Sequence, residues 1–245
     1  MTRKGSPDVG FALFDGRSIL STLTEIDTER EAVMEDNTVL GDANEAWLPV
    51  GLKRGTLSQR GFFDDAANSV HDHLVAFATR TAAIALEGNT IGKKFIGWAG
   101  AITTKYRRLA SKGTLHKAEA DYQVTGAVDE GIILHAHTQE TTASGDTEGA
   151  DSVDNGASSA DGGAGYVEVS ELALGGYTNV LLRAKHSADD VTYADLCAFT
   201  PITAAPAGQR LAVAGTVNRY LASLWAYTGA GSGQSVTFMI GFARG

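Results

Sequence analysis

The 245-residue sequence predicts an all-β protein with one flanking α-helix. Short segments rich in β-branched and aromatic residues recur along the chain, turns containing Gly and Asp separate them, and only one stretch has a helical period. The length allows one or two domains, each large enough to bury a core.

The N-terminal half is predicted to consist mainly of strands, because turn residues bound its short apolar segments. These strands span residues 9–14, 47–53, 56–63, 81–86, 95–107, 115–124 and 131–137. The acidic segment between Glu25 and Glu45 has no convincing strand or helix period, so we predict a long loop there. Long loops inside compact domains are usually functional or mobile.

One helix is predicted over residues 66–78. Asp64 and Asp65 precede it as acidic N-terminal residues, and Val70, Leu74 and Phe77 fall at positions i, i+4 and i+7. This spacing places the three apolar side chains on one side of the helix. We therefore expect that side to cover another element of the fold.

A break in composition lies between Gln139 and Gly165. This stretch has six acidic residues, six glycines and four serines, but no Lys, Arg or large aromatic residue. Such a segment buries too little apolar surface to offset the entropy of ordering it. We predict an acidic, Gly/Ser-rich linker over residues 141–165, which joins a domain of residues 1–140 to one of residues 166–245.

The second domain is predicted to be a β-sandwich or jelly roll. Six short strands follow one another with turns between them and no intervening helix, which is typical of these folds. The strands span residues 166–172, 177–186, 192–199, 209–215, 217–227 and 235–242.

The charge and the cysteine content exclude several classes of protein. Twenty Lys and Arg against 29 Asp and Glu give a net charge of −9, which excludes a dedicated DNA-coating protein. No apolar run approaches the roughly 18 residues of a membrane-spanning helix, and we expect no signal peptide. Cys197 is the only cysteine, so an internal disulfide and a cysteine-based zinc site are excluded. Its apolar strand predicts a buried thiol with a raised pKa.

Motifs that could carry chemistry are weak. The segment from Gly88 to Lys94 lacks the spacing of a phosphate-binding loop, and we predict a turn. His135 and His137 lie two residues apart on a predicted strand and are expected to share a face, but two ligands do not make a metal site. Because no nucleophile motif or catalytic constellation is present, we predict no enzyme activity, no cofactor and no metal.

A strip of seven basic residues lies within 25 residues that contain no acidic residue. Its members are Lys93, Lys94, Lys105, Arg107, Arg108, Lys112 and Lys117. Such a strip could bind nucleic acid, or it could meet the acidic segment of a neighbouring subunit. The negative net charge favours the subunit contact. The predicted contact residues are Glu29, Glu31, Glu35, Asp36, Lys105, Arg107 and Arg108.

Several motifs together resemble a known family. They include Gly10-Phe-Ala-Leu-Phe-Asp15-Gly16, Trp47, Gly55-Thr-Leu-Ser-Gln-Arg-Gly61-Phe-Phe-Asp64 and Gly113-Thr-Leu-His-Lys. With the acidic segment and the helix, they are similar to the tail tube (major tail) proteins of long-tailed, non-contractile phages. The C-terminal motifs Val153-Asp-Asn-Gly, Ser187-Ala-Asp-Asp-Val and Arg219-Tyr220-Leu221 resemble a β-sandwich module that is often appended to such proteins. Asp190-Val191 departs from the Asp-Gly turn expected in that module.

The resemblance implies a virion protein made in the bacterial cytoplasm. Six copies would form a ring by pairing sheet edges, and the rings would stack into a tube through which the genome leaves without sequence-specific binding. Its partners would be itself and other tail proteins, with no membrane. The alternative is a carbohydrate-binding or host-adhesion module, suggested by the C-terminal aromatic residues, although aromatic residues also fill sandwich cores. These residues are Tyr166, Tyr177, Tyr193, Trp225 and Tyr227.

Overall fold

The computed structural model describes residues 9–36, 47–66 and 70–245. These residues form two antiparallel sheets with one short α-helix, which confirms the predicted all-β class. None of the helical segments in the described ranges is long and apolar enough to cross a membrane.

Fifteen strands and one α-helix are defined in the described part of the chain. They are β1 (Phe11–Phe14), β2 (Arg17–Ser18), β3 (Leu23–Asp36), β4 (Trp47–Phe62), α1 (Val70–Val75), β5 (Thr79–Ala85), β6 (Lys94–Leu109), β7 (Lys117–Glu140), β8 (Ser144–Asp146), β9 (Val153–Asp154), β10 (Gly163–Ala173), β11 (Asn179–Ser187), β12 (Ala194–Ala198), β13 (Ala207–Val213), β14 (Tyr220–Thr228) and β15 (Ser235–Arg244).

The larger sheet has ten strands, and its main path runs β13-β10-β15-β7-β6-β5-β1-β2. The two ends of this path meet, because the β1–β2 turn packs against β10 and β13. The backbone N–H of Gly16 donates a hydrogen bond to the Glu168 carboxyl group, and that of Gly208 donates one to Asp15 Oδ1 over 3.1 Å. We call this junction the seam. The path therefore curls into a nearly closed barrel around a core that includes Phe95.

The β1–β2 turn has the local chemistry that such a tight connection needs. Phe14 is opposite Arg17, so Asp15 and Gly16 are the two loop residues, with φ of 50° and 77°. Two positive φ values are typical of the Asp-Gly type I′ hairpin. A Cβ at Gly16 would lie 2.1 Å from the carbonyl oxygen of Val169, so the close approach to β10 requires glycine.

Two further cores lie outside the barrel. The smaller sheet, with path β12-β11-β14-β8 and β9 beside β14, packs on β10, β15 and β7 around residues such as Leu182, Trp225 and Phe238. On the other side of the molecule, α1 and parts of β1, β4, β5, β6 and β7 enclose a core that includes Leu57 and Tyr122.

Four strands continue beyond the barrel as a sheet in the order β3-β4-β7-β6, which we call the four-stranded section. Its strands are antiparallel throughout, and the residues Glu25, Arg60, Glu119 and Arg107 lie opposite one another in one row. The next row contains Asp27, Ser58, Asp121 and Lys105.

Strands from both predicted domains share the larger sheet, since β15 pairs with β7 and with β10. Residues 141–165, predicted as a linker, contain β8, β9 and a 3₁₀ turn at Gly149–Asp151. These short strands pair with β14 through backbone hydrogen bonds, which need no apolar side chains. The division into domains of residues 1–140 and 166–245 stays a prediction.

Two local expectations in the N-terminal half are wrong. Residues 25–36 of the predicted acidic loop belong to β3. Few of their side chains are apolar, but pairing with β4 satisfies the backbone hydrogen bonds of the strand. Residues 37–45 lie outside the described ranges. In the described residues α1 spans Val70–Val75 and so ends before the predicted residue 78, while residues 67–69 lie outside the described ranges. Leu74 is buried, whereas Phe77 lies beyond the end of α1 with φ of 47° and its side chain is half exposed.

The prediction that His135 and His137 share a face is also wrong. The register of β7 with β15 shifts between Ile240 and Phe238, and this irregularity breaks the alternation of side chains. The ring of His135 stacks on Phe238 at 4.0 Å, whereas His137 Nε2 is hydrogen-bonded to Ser170 Oγ over 2.9 Å. The two imidazoles therefore have separate surroundings.

Candidate functional site

One side of the four-stranded section is polar, and we call it the polar face. Alternate residues of each strand point to it, while the residues between them, such as Leu57, Ala120 and Tyr122, pack into the core beneath α1. Its members are Glu25, Asp27, Glu29 and Glu31 on β3, Thr56, Ser58 and Arg60 on β4, Glu119, Asp121 and Gln123 on β7, and Lys105 and Arg107 on β6. The strand period therefore separates a charged face from an apolar one.

Ion pairs cross the strands of this face. Arg60 lies 3.2 Å from Glu25, Lys105 lies 3.3 Å from Asp121, and the guanidinium of Arg107 lies 3.5 Å from Glu119. The basic side chains are all more than half exposed. Exposed pairs of this kind contribute about 0–1 kcal/mol each, so they can exchange partners at little cost.

The two outer strands of the four-stranded section have uncovered edges. In the described part of the chain, the 14-residue strand β3 pairs only with β4. Strand β6 pairs with β5 up to Ile102, and from residue 103 to 109 its only described strand partner is β7. An unpaired strand edge is a template for pairing with another chain.

The predicted contact residues lie on or near these two edges. Glu29 and Glu31 are exposed on the polar face of β3, and Thr56 Oγ1 donates to Glu29 over 3.5 Å. Asp36 ends β3 opposite Trp47, and Glu35 lies opposite Leu48 in the register. Of the basic group, Lys105 and Arg107 share the polar face. Arg108 points to the other side, where its guanidinium lies 5.9 Å from the Phe63 ring centre.

Two histidines anchor α1 to the sheet beneath it. His73 Nε2 lies 3.1 Å from the hydroxyl of Tyr122, and His71 Nδ1 lies 3.0 Å from that of Tyr106. Burial, with smaller contributions from the charges of Arg80 and Arg17, lowers the pKa of His73 to about 3. His73 is therefore neutral near pH 7, and α1 holds the apolar side of the four-stranded section through two His–Tyr pairs.

A buried carboxyl group lies at the seam. Glu168 has no exposed surface, and burial raises its pKa to about 8, while the Gly16 N–H and Thr81 hydroxyl oppose the shift and Asp15 adds to it. Asp15 is held by Arg80 at 3.2 Å and Arg17 at 3.6 Å. Near pH 7 Glu168 is thus mostly protonated, which avoids an ionised group inside the barrel.

The aromatic residues of the alternative interpretation are partly core residues. Tyr166 is fully buried and Trp225 is 7% exposed, packed near His135 and Phe238. Tyr177 and Tyr227 form a tilted pair at 5.1 Å near the surface, and the hydroxyl of Tyr193 donates to Asp190. Tyr166 and Trp225 thus show the packing role expected of aromatic residues in such cores.

The remaining candidate groups take structural positions. Cys197 is buried, as predicted, and burial raises its pKa to about 12. Residues 88–93 form a turn between β5 and β6, also as predicted. In the described ranges, no three His, Cys, Asp or Glu side chains converge as metal ligands would.

No protein-family model matches the sequence, and no curated protein matches it. Among solved structures, the chain is similar to a protein in the tail of an empty gene transfer agent particle with C6 symmetry: TM-score 0.43, 15% identity, covering 51% of this chain and 97% of that one. It is also similar to the Dit protein of phage SPP1, described as a hub of the adsorption apparatus: TM-score 0.37, 10% identity, covering 96% and 98%. A contractile injection system sheath–tube complex gives a TM-score of 0.36 at 11% identity, covering 49% and 86%.

Proposed function

We propose that this chain is a non-enzymatic structural protein of a phage virion, which assembles with its own copies into hexameric rings stacked as a tail tube. The observation that carries the proposal is the four-stranded section, in which β3 along its length and β6 over residues 103–109 have no described strand partner on their outer sides. Two of the features that resemble tail tube proteins belong to this section: residues 25–36 of the acidic segment lie on β3, and residues 55–62 lie on β4. Closing the edges of several copies into one barrel would remove them all.

The dimensions of such a ring suit a genome conduit. Six copies that each lend four strands give 24 strands, and a spacing of about 4.8 Å gives a backbone diameter of roughly 37 Å untilted or 48 Å at the usual tilt. Side chains narrow the opening by about 10 Å, which leaves room for a duplex about 20 Å wide.

The polar face would line the lumen, because the core beneath α1 covers the opposite face. Six carboxylates of the polar face outnumber its three basic side chains, Arg60, Lys105 and Arg107. A lining with net negative charge repels phosphate and gives DNA few contacts to break as it slides. The smaller sheet would then lie outside the tube, and the end rings would contact other tail proteins.

Electron microscopy and sedimentation of the purified protein at high concentration test this proposal. We expect stacked rings with an open centre. Hydrogen exchange on monomer and assembly gives a second readout: protection should rise in β3 and in residues 103–109 of β6, while the buried strands β11 and β14 act as the internal control. A chain that stays monomeric at high concentration and within intact tails would contradict the proposal.

A further inference from the structure

We propose that the joint between neighbouring copies is set by charge: Lys105 and Arg107 on β6 of one copy lie opposite the carboxylates of Glu25, Asp27, Glu29 and Glu31 on β3 of the next. This inference rests on the proposed ring. It adds which edge meets which, in what direction, and how the contact responds to salt.

The strand directions allow this joint. The four-stranded section has an even number of antiparallel strands, so β3 and β6 run in opposite directions. A second copy placed head to tail, with its β3 beside β6, continues the antiparallel alternation without a break. A two-fold contact of β3 with β3 would instead bring together two edges that carry the same negative charge.

The charges match over several registers. Side chains on one face of a strand recur every two residues, and each polar-face position of β3 from Glu25 to Glu31 is a carboxylate. Strand tilt in a barrel shifts one copy along the next, and a shift must be even to keep the polar face continuous. With no shift, Arg107 of one copy lies opposite Glu25 of the next copy. With a shift of two or four residues toward the C-terminal end of β3, it lies opposite Asp27 or Glu29.

The existing contacts of the two cations leave room for a second partner. Lys105 and Arg107 reach Asp121 and Glu119 over 3.3 and 3.5 Å and stay more than half exposed. Within the described part of the chain, Asp27, Glu29 and Glu31 form no ion pair. Each cation can therefore bridge a carboxylate of its own β7 and one of the neighbour's β3.

Two charge-reversed variants test the joint. The first is Lys105→Glu with Arg107→Glu, and the second is Glu25→Lys, Asp27→Lys and Glu29→Lys. Each variant alone sets like charges against each other at every joint, so we expect the concentration needed for ring formation to rise at least about tenfold. An equimolar mixture should assemble like the unaltered chain, because the two variants can alternate around a ring with an even number of copies.

The salt dependence of assembly is an independent test of the charged joint. Assembly of the unaltered chain should weaken as salt is raised from 0.05 to about 0.5 M, whereas assembly of each single variant should improve because repulsion is screened.

A matched control pair, Arg183→Glu and Asp195→Lys, reverses exposed charges on the smaller sheet and should leave assembly unchanged. Thermal melts of the monomers check folding. If a reversal prevents folding, the neutral variants Lys105→Gln and Arg107→Gln should still lose the salt dependence.

The outcomes separate the two proposals. If the unaltered chain forms no rings, the proposed function fails. If it forms rings and both charge-reversed variants assemble equally well, with the same salt dependence, the charged joint is wrong while the tube function stands. Rescue by mixing, together with opposite salt slopes, supports both.

Discussion

The smaller sheet ends in short strands, whereas the four-stranded section ends in long ones. β8 and β9 have three and two residues, and β12 has five with an irregular register to β11. β13, which ends the main path of the larger sheet, is partly covered by its own chain, since the Gln209 side chain bonds both the N–H and the carbonyl of Thr200 over 2.9 and 3.0 Å. β3 instead has 14 residues.

This difference shows which edge strands are protected from pairing with other chains and which are not. Short, irregular or covered edge strands prevent strand addition, and the C-terminal strands use all three devices. Charged side chains are a further device, and on β3 and β6 the charges have opposite signs. An edge that repels its own copy but attracts the opposite edge restricts pairing to one geometry.

The largest effect should come from the core between the smaller sheet and strands β7, β10 and β15. Phe238 is fully buried and its ring stacks on His135 at 4.0 Å. Phe238→Ala should lower the free energy of unfolding by about 3–5 kcal/mol, because the removed ring leaves a cavity. Urea unfolding monitored by circular dichroism measures the loss. The exposed Phe77→Ala is the control and should change stability little. Equal losses in the two variants would contradict the assignment of the core.

The seam should give a pH-dependent effect. Because the folded pKa of Glu168 is raised to about 8, its contribution to stability is present below about pH 4.5 and is lost as the pH rises toward 8. Glu168→Gln should therefore gain stability relative to the unaltered chain over this window, reaching a few kcal/mol at pH 8 and then levelling off. Glu171→Gln, on the exposed side of the same strand, is the control. Parallel stability curves for Glu168→Gln and the unaltered chain would show that the carboxyl group is not buried at the seam.

The attachment of α1 should give a smaller effect. Tyr122→Phe removes the hydroxyl that pairs with His73 and leaves a buried ring nitrogen without a partner, so we expect a loss of about 1–2 kcal/mol. Tyr106→Phe removes the matching bond to the more exposed His71 and should cost less. Chemical unfolding of both variants measures the difference. A larger cost at Tyr106 would reverse the ranking of the two anchors.

The same contrast explains what the sequence could predict. The C-terminal strands were predicted to within about three residues because apolar side chains alternate with polar ones, as at Val180, Leu182 and Ala184. The sequence pattern does not identify β3 because half of its 14 residues are charged. A signal was present all the same: Glu25, Asp27, Glu29 and Glu31 alternate with Ile26, Thr28 and Arg30.

Other features depend on contacts that no local pattern contains. The hydrogen bond from Gly16 to Glu168 joins residues 152 positions apart, so the buried carboxyl group could not be recognised from its own strand. The surroundings of His135 and His137 depend on a register shift set by β15. On the candidate surface, the charges of Lys105 and Arg107 were found from the sequence. Arg108 lies on the other face because it directly follows Arg107, and successive side chains of a strand alternate between faces.

The smallest effect on the folded monomer is expected at the proposed joint. Lys105→Gln and Arg107→Gln together remove two exposed ion pairs on the polar face, and each such pair typically contributes about a few tenths of a kcal/mol. Unfolding of the monomer at low concentration should therefore shift by less than about 1 kcal/mol. Arg210→Gln provides the contrast, because Arg210 bonds Asp129 at 2.8 Å and the hydroxyl of Tyr166 at 2.9 Å in a partly buried network. Arg210→Gln should lower the free energy of unfolding by more than the double variant does, since it leaves the Asp129 carboxylate and the buried Tyr166 hydroxyl without their cation. If the double variant on β6 proved as costly as Arg210→Gln, its side chains would be holding the monomer together and would not be available to a neighbour.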